Sequence, residues 1–178
     1  MEGFDTVYLA PSQMPIELMK NISKQLSYTE AWRRINAATE AGFDLEAITI
    51  GESIISDRLL SYVMGVEPSS QVHKRSSLSQ LITLWRKLAG ASLIKSDGTD
   101  LGKTTDEWRI KRNQAVHGLV KSSPRSPPIP LDDFFALARQ AAEEGKMLAR
   151  EIQNWHRREL RKTKSWQSLV SEDPKSDS

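Results

Sequence analysis

The chain has 178 residues, 38% of them apolar and 27% charged, with no cysteine and a formal net charge of +2. That length suits one domain with a proper core rather than two. The lack of cysteine excludes a disulfide framework, a thiolate zinc site and a cysteine nucleophile together, and so small a net charge does not by itself argue for nucleic acid.

The opening "MEGFDTVYLAPSQMP" has neither a basic start nor a long apolar run, so no signal peptide is expected. Nowhere does an apolar stretch approach the roughly 18 residues of a membrane span, and the cytoplasm is the expected compartment. Helical periodicity dominates, while the alternating β-branched runs that mark strands are scarce. "MPIELMKNISKQL" places Pro15 near a helix start and Ile16, Met19, Ile22 and Leu26 at three- and four-residue steps. A second helix, "YTEAWRRINAATEAG", is expected with Thr29 as N-cap, Trp32 and Ile35 on its inner face and Gly42 as its stop.

"DLEAITIGESIISDRLLSYVMG" reads as the central helix, capped by Asp44, with Leu45, Ile48, Ile55, Leu59 and Tyr62 on one stripe and its end at Gly65. Glu52 falls on that same stripe. A carboxylate there either takes a partner or snorkels from a groove edge to water, because unpaired burial is costly. "LSQLITLWRKLAGASLI" follows, with Leu78, Leu81, Ile82, Trp85 and Leu88 in register, and then the turn-rich "KSDGTDLGKT".

"TDEWRIKRNQAVHGLV" starts at Thr104 or Thr105 with Glu107 in a capping arrangement and buries Trp108, Ile110, Ala115, Val116 and Leu119. No helix passes through "KSSPRSPPIP" (121–130), which has four prolines in ten residues. The last helix, from Asp132/Asp133 to Lys164, turns Phe134, Phe135, Leu137, Ala138, Ala141, Ala142, Met147, Leu148, Ile152 and Trp155 inward. The expectation is an all-α, up-down bundle of about five to six helices: one domain over 1–164 and a largely disordered tail over 165–178, pinned at most by Trp166.

Charge is unevenly spread. Six Lys/Arg face two acids from Lys103 to Arg125, seven face two from Lys146 to Lys164, and residues 44–57 hold four acids and no base. Two basic segments can form a phosphate-facing surface or simply solvated helix faces.

Within the first basic segment lies "RNQAVHG", residues 112–118. A helix advances about 100° per residue, so Asn113 and His117 share a face with Arg109 one turn earlier, whereas Arg112 sits about 140° round from His117 and must reach to join them. Histidine exchanges protons near neutrality, arginine forks onto phosphate oxygens, and asparagine can hold an imidazole or contact a sugar. That set suffices for metal-independent RNA cleavage by 2′-hydroxyl attack on the adjacent phosphate. The plainer reading of His117 is a helix-end histidine favoured by the C-terminal dipole. No P-loop, nucleophile elbow or histidine metal-ligand pattern competes: His73, His117 and His156 stand in separate segments.

"RNQAVHG" fits the arginine, four to six residues, histidine pattern of the HEPN superfamily, with a polar residue directly after the arginine. "TEAWRRINAATEAGFDLEAITIGESIISDRLLSYV" resembles that family's opening helical pair, in which an acid-bearing helix ends near an "xDRL" sequence. The resemblance implies a dimeric, metal-independent endoribonuclease whose Arg/His helices meet in a composite cleft. An enzyme of that kind would be a toxin or phage-defence effector, would need no cofactor, and would leave a 2′,3′-cyclic phosphate and a 5′-hydroxyl. It implies that Arg112 binds phosphate, His117 acts as general base or acid and Asn113 orients them. Arg109, Lys111 and Lys121 are the accompanying RNA-binding candidates, and Glu52 the supporting acid. A homodimer and an antitoxin protein are the implied partners. One toxin subgroup carries a modifiable tyrosine two residues after the histidine, where this chain has Leu119. The alternative is a non-catalytic helical module of the same kind that binds RNA or a protein.

Overall fold

The computed structural model describes residues 16–118 and 129–171, with side chains from 22 to 118 and from 129 to 162. Over these residues the chain forms five helices: α1 (Ile16–Ala41), α2 (Asp44–Val66), α3 (Leu78–Ala89), α4 (Leu101–His117) and α5 (Leu131–Ser171). A short 3-10 turn, Gly90–Leu93, and an isolated antiparallel bridge between Ile94 and Asp100 lie between α3 and α4. The all-α class is as expected. Lys121, most of the proline-rich loop, Pro15 and Trp166 lie outside the described residues or side chains.

The two expected N-terminal helices are one. Nothing between Lys20 and Trp32 breaks a helix, and the hydroxyls take their own i−4 carbonyls: Ser27 donates to Ser23 and Thr29 to Gln25, at 2.9 and 3.1 Å. Thr29 is therefore a mid-helix residue and not an N-cap. Ile22 and Leu26 are exposed, against expectation, because no described helix covers the first turns of α1. Gly42 does end the helix. Its φ of +74° is a left-handed value that glycine adopts without strain, and Phe43 N–H then donates to Ala38 and Gly42 N–H to Thr39.

Phe43, not Asp44, occupies the N-cap position of α2. Asp44 and Glu46 instead sit in the first turn, where their charge meets the positive end of the helix. The stripe reads largely as expected: Ile48, Ile55 and Leu59 are fully buried, and only Leu45 points outward. Ser77 and Gln80 close a reciprocal capping box on α3. α4 begins earlier than the Thr104/Thr105 start, at Leu101, because Asp100 Oδ1 accepts the Lys103 N–H at 3.0 Å and makes the better cap. The α5 helix continues to Ser171, beyond the Lys164 boundary. Ile110, Phe135 and Met147 face solvent, each displaced from the buried stripe by neighbours that fill it: Trp108, Phe134 and Leu148.

The core is the seam between α2 and α5, closed by α3 and α4. Trp155 stands at its centre, edge-on to Trp85 (5.2 Å between centroids) and Tyr62 (4.7 Å), and its indole N–H donates to the Ser92 carbonyl. Two glycines let three helices approach. Gly51 of α2 faces Gly145 of α5, and the Trp108 indole lies against Gly145 so closely that a Cβ there would stand 2.6 Å from Cζ2. Trp108 is fixed in that place by its N–H bond to the Ala141 carbonyl at 2.9 Å.

Gly145→Ala is accordingly expected to destabilise. Overpacking costs about 1–3 kcal/mol, helix propensity returns at most about 1, and a net loss of about 1–2 kcal/mol should appear in urea unfolding. An unchanged or raised midpoint would show that Trp108 yields freely.

Candidate functional site

Arg112 lies on the inward-facing side of α4, between Trp108 and Val116, and only about a fifth of its side chain is exposed. Its guanidinium forms an ion pair with Glu52 of α2 through Nη2 and donates from Nη1 to Asn113 Oδ1 at 2.8 Å. Of the two readings of Glu52, the structure holds the paired one: the carboxylate on the apolar stripe of α2 meets the guanidinium on the inner face of α4. Arg112 Nε is buried without a hydrogen-bond partner among the described residues, so Glu52 and Asn113 together satisfy the polar groups of this side chain that are paired.

His117 is exposed at the last residue of α4 and makes no hydrogen bond or ion pair to the described residues. The arrangement thus joins Arg112, Asn113 and Glu52 into one bonded set, with His117 one turn beyond Asn113. The other candidate cations are engaged elsewhere. Arg109 pairs within α4 with Asp106 at 2.7 Å, and Lys111 reaches across to Glu144 of α5 at 2.6 Å. Neither joins the Arg112 set. Lys121 lies outside the described residues.

Two clefts flank α4. One, of about 380 Å³, runs between α4 and α5 past Trp108, Lys111 and Glu144. The other, of about 510 Å³, runs between α3 and α4 past Arg86, Asp106 and Arg109. Arg112, Asn113 and His117 line neither cleft; Arg112 and Asn113 are half-buried and His117 is exposed. Among the described residues no group of three or more His, Asp or Glu side chains is placed to hold a metal ion.

The Arg112–Glu52 pair is testable as a unit. Removing one partner of a buried pair costs about 3–5 kcal/mol, and partial exposure reduces this to roughly 2 kcal/mol here. Glu52→Ala should lose about that much in urea unfolding. Glu52→Gln, which keeps an acceptor for Nη2, should lose under about 1 kcal/mol. Equal stability of the alanine variant and the parent would mean that Arg112 does not depend on Glu52.

A second polar cluster escaped the sequence reading. Tyr28 donates its hydroxyl to Asp57, Lys24 pairs with Asp57 at 3.1 Å, and the Arg58 guanidinium lies 3.8 Å from the Tyr28 ring centroid. Burial and the neighbouring carboxylate raise the Tyr28 pKa. Burial alone would raise that of Asp57, but the Tyr28 and Lys24 contacts outweigh it and hold it low. Beside them His156 is buried, with both ring nitrogens unpartnered. Burial, then the charges of Arg58 and Lys24, push its pKa down to about 4, with Asp57 opposing. The "SDRLL" stretch contained Asp57 and Arg58, but nothing in it points to partners 29 residues back on α1 or on α5.

No protein-family model, curated protein or solved structure matches the chain. No helix among the described residues is long and apolar enough to cross a membrane.

Proposed function

We propose that the chain is a metal-independent endoribonuclease of the HEPN kind, working through Arg112, Asn113 and His117 as a toxin or phage-defence effector. The observation that carries this reading is the bonded set on α4: a guanidinium held by Glu52 and Asn113, with an exposed imidazole one turn further along the same helix. Glu52 and Asn113 restrain a side chain that would otherwise be mobile, which is what orienting a phosphate-binding fork requires. Each Nη retains one uncommitted hydrogen for a phosphate oxygen. His117, unencumbered, takes the proton of the attacking 2′-hydroxyl or returns one to the leaving oxygen. The exposure of His117 at the end of α4 suits a cleft completed by the equivalent helix of a second copy.

A second reading has its own support. Arg109, Lys111 and Arg112 each pair with an acid, as structural ion pairs do, which favours a non-catalytic helical module that binds RNA or a protein partner. The purified protein incubated with RNA in EDTA separates them. Degradation that His117→Ala prevents supports the nuclease. Salt-sensitive binding with the RNA left intact supports the module.

A further inference from the structure

The two basic segments of the sequence do not form one surface. The Ile129 side chain lies 3.4 Å from where a Cβ on Gly118 would stand, which puts the end of α4 beside the start of α5. The second basic segment lies near the far end of α5. Trp108, one turn before Arg112, bonds to Ala141, and Gly51, beside Glu52, faces Gly145; at about 1.5 Å per residue Arg157 is therefore roughly 20–30 Å further along α5 than the Arg112 guanidinium.

There Arg157, Arg158 and Arg161 are all exposed, and none makes a hydrogen bond or ion pair to the described residues. They occupy the side of α5 turned away from buried Ile152, Trp155 and His156. Arg157 and Arg161 continue a line begun by Lys146 and Arg150, whose steps of four, seven and four residues keep them within about 60° of one another. Arg150 is already braced over the Trp32 ring at 3.9 Å, which leaves its N–H edge free. On the flank, Arg158 and Lys162 border an open cleft of about 640 Å³ shared with Ser92, Lys95 and Ser96.

We infer that this face of α5 is a second binding surface, for the phosphodiester backbone of RNA, remote from the Arg112 set. The inference rests on RNA being the substrate of that set. Three features favour a phosphate polymer over an acidic protein. The cations are arginines, whose planar forks match phosphate oxygens. They repeat along an axis, as phosphates do. The face also lacks the apolar centre that protein interfaces require: among the described residues its large exposed apolar side chains are Leu160 and, on the flanking cleft, Ile94. At about 3.4 Å per nucleotide of helical strand, an RNA must span on the order of six to eight nucleotides to reach from the Arg112 guanidinium to Arg157. The surface therefore selects long or folded RNA over short fragments.

The test uses the full chain carrying His117→Ala, so that RNA stays intact, and fluorescence anisotropy with labelled RNAs of about 30 and about 4 nucleotides across a salt series. Adding Arg157→Gln, Arg158→Gln and Arg161→Gln together should weaken binding of the long RNA at least about tenfold. It should also flatten the slope of log affinity against log salt by about 2, since each phosphate contact on a single strand contributes about 0.7. With His117 restored, the triple variant should cut the short RNA as the parent does. Unchanged affinity and slope for the long RNA would overturn the inference, as would displacement of RNA by polyglutamate at equal affinity. If the arginine variant loses long-RNA binding but no form of the protein cuts RNA, the surface stands and the nuclease reading falls.

Discussion

Replacing His117 with alanine is expected to lower the rate of RNA cleavage by about a hundred- to ten-thousand-fold, the usual contribution of a positioned proton-transfer group, while leaving thermal unfolding in place. The two readouts separate because of where the residue stands. His117 is exposed at the end of α4 and bonds to none of the described residues, so its removal should change stability by less than about 0.5 kcal/mol. Arg112→Ala is a less clean probe. It would strand the Glu52 carboxylate on the inner face of α2, and lost activity would be mixed with lost fold. A His117→Ala protein that cuts RNA at the parent rate would remove the imidazole from the reaction altogether.

The second large effect is on acid stability and belongs to His156. This imidazole is buried neutral, with both nitrogens unpaired, facing Arg58 and Asp57 of α2 and Lys24 of α1. Its pKa of about 4 in the folded chain lies below the ordinary value of 6.5, so between those limits the unfolded chain binds the extra proton. Stability therefore rises with pH across this window. The contribution is complete above about pH 6.5 and is lost as pH falls toward 4, by about 3 kcal/mol in all. Asp57 beside it, held low by Tyr28 and Lys24, should add its own loss only below that window. His156→Leu removes the titrating group and the two unsatisfied nitrogens, and should flatten the pH dependence between 4 and 6.5 without lowering stability at neutral pH. An equally steep acid transition in the leucine variant would place its origin elsewhere. The expected consequence at pH 5 is a protein loosened where α1 meets α2 and α5, about one and a half turns along α2 from Glu52.

Much of the fold is legible from periodicity because the long helices bury one face and the apolar steps follow it. Ile48, Ile55 and Leu59 on α2, Leu81, Ile82 and Trp85 on α3, and Ala138, Ala141 and Ile152 on α5 are all buried as their spacing demands. Boundaries were harder, since they turn on competition between neighbouring signals. Thr29 has the chemistry of a cap, yet its hydroxyl is satisfied inside α1; Asp100 outcompetes Thr104 for the start of α4. Apolar spacing also says nothing about whether a partner is present, which is why Ile22 and Leu26 read as core and lie exposed.

The candidate site shows the same division. That Asn113 and His117 share a face follows from helix geometry alone. That Arg112 turns inward to Glu52, 60 residues earlier, depends on how α2 and α4 pack, and no local pattern encodes that. Lys111 and Arg109 illustrate the converse. Their charge is visible in the sequence, but Glu144 and Asp106 neutralise it in the structure, whereas Arg157, Arg158 and Arg161 of α5 have no acid partner among the described residues. Charge counted along a chain is not charge presented by a fold.

The central claim is that the α4 set cleaves RNA by internal attack of the 2′-hydroxyl. The most direct measurement is the chemical identity of the ends produced when the full chain is incubated with a labelled RNA in excess EDTA. A 2′,3′-cyclic phosphate paired with a 5′-hydroxyl is the predicted result. Products ending in a 3′-hydroxyl and a 5′-phosphate, or cleavage that appears only when a divalent metal is restored, would contradict it.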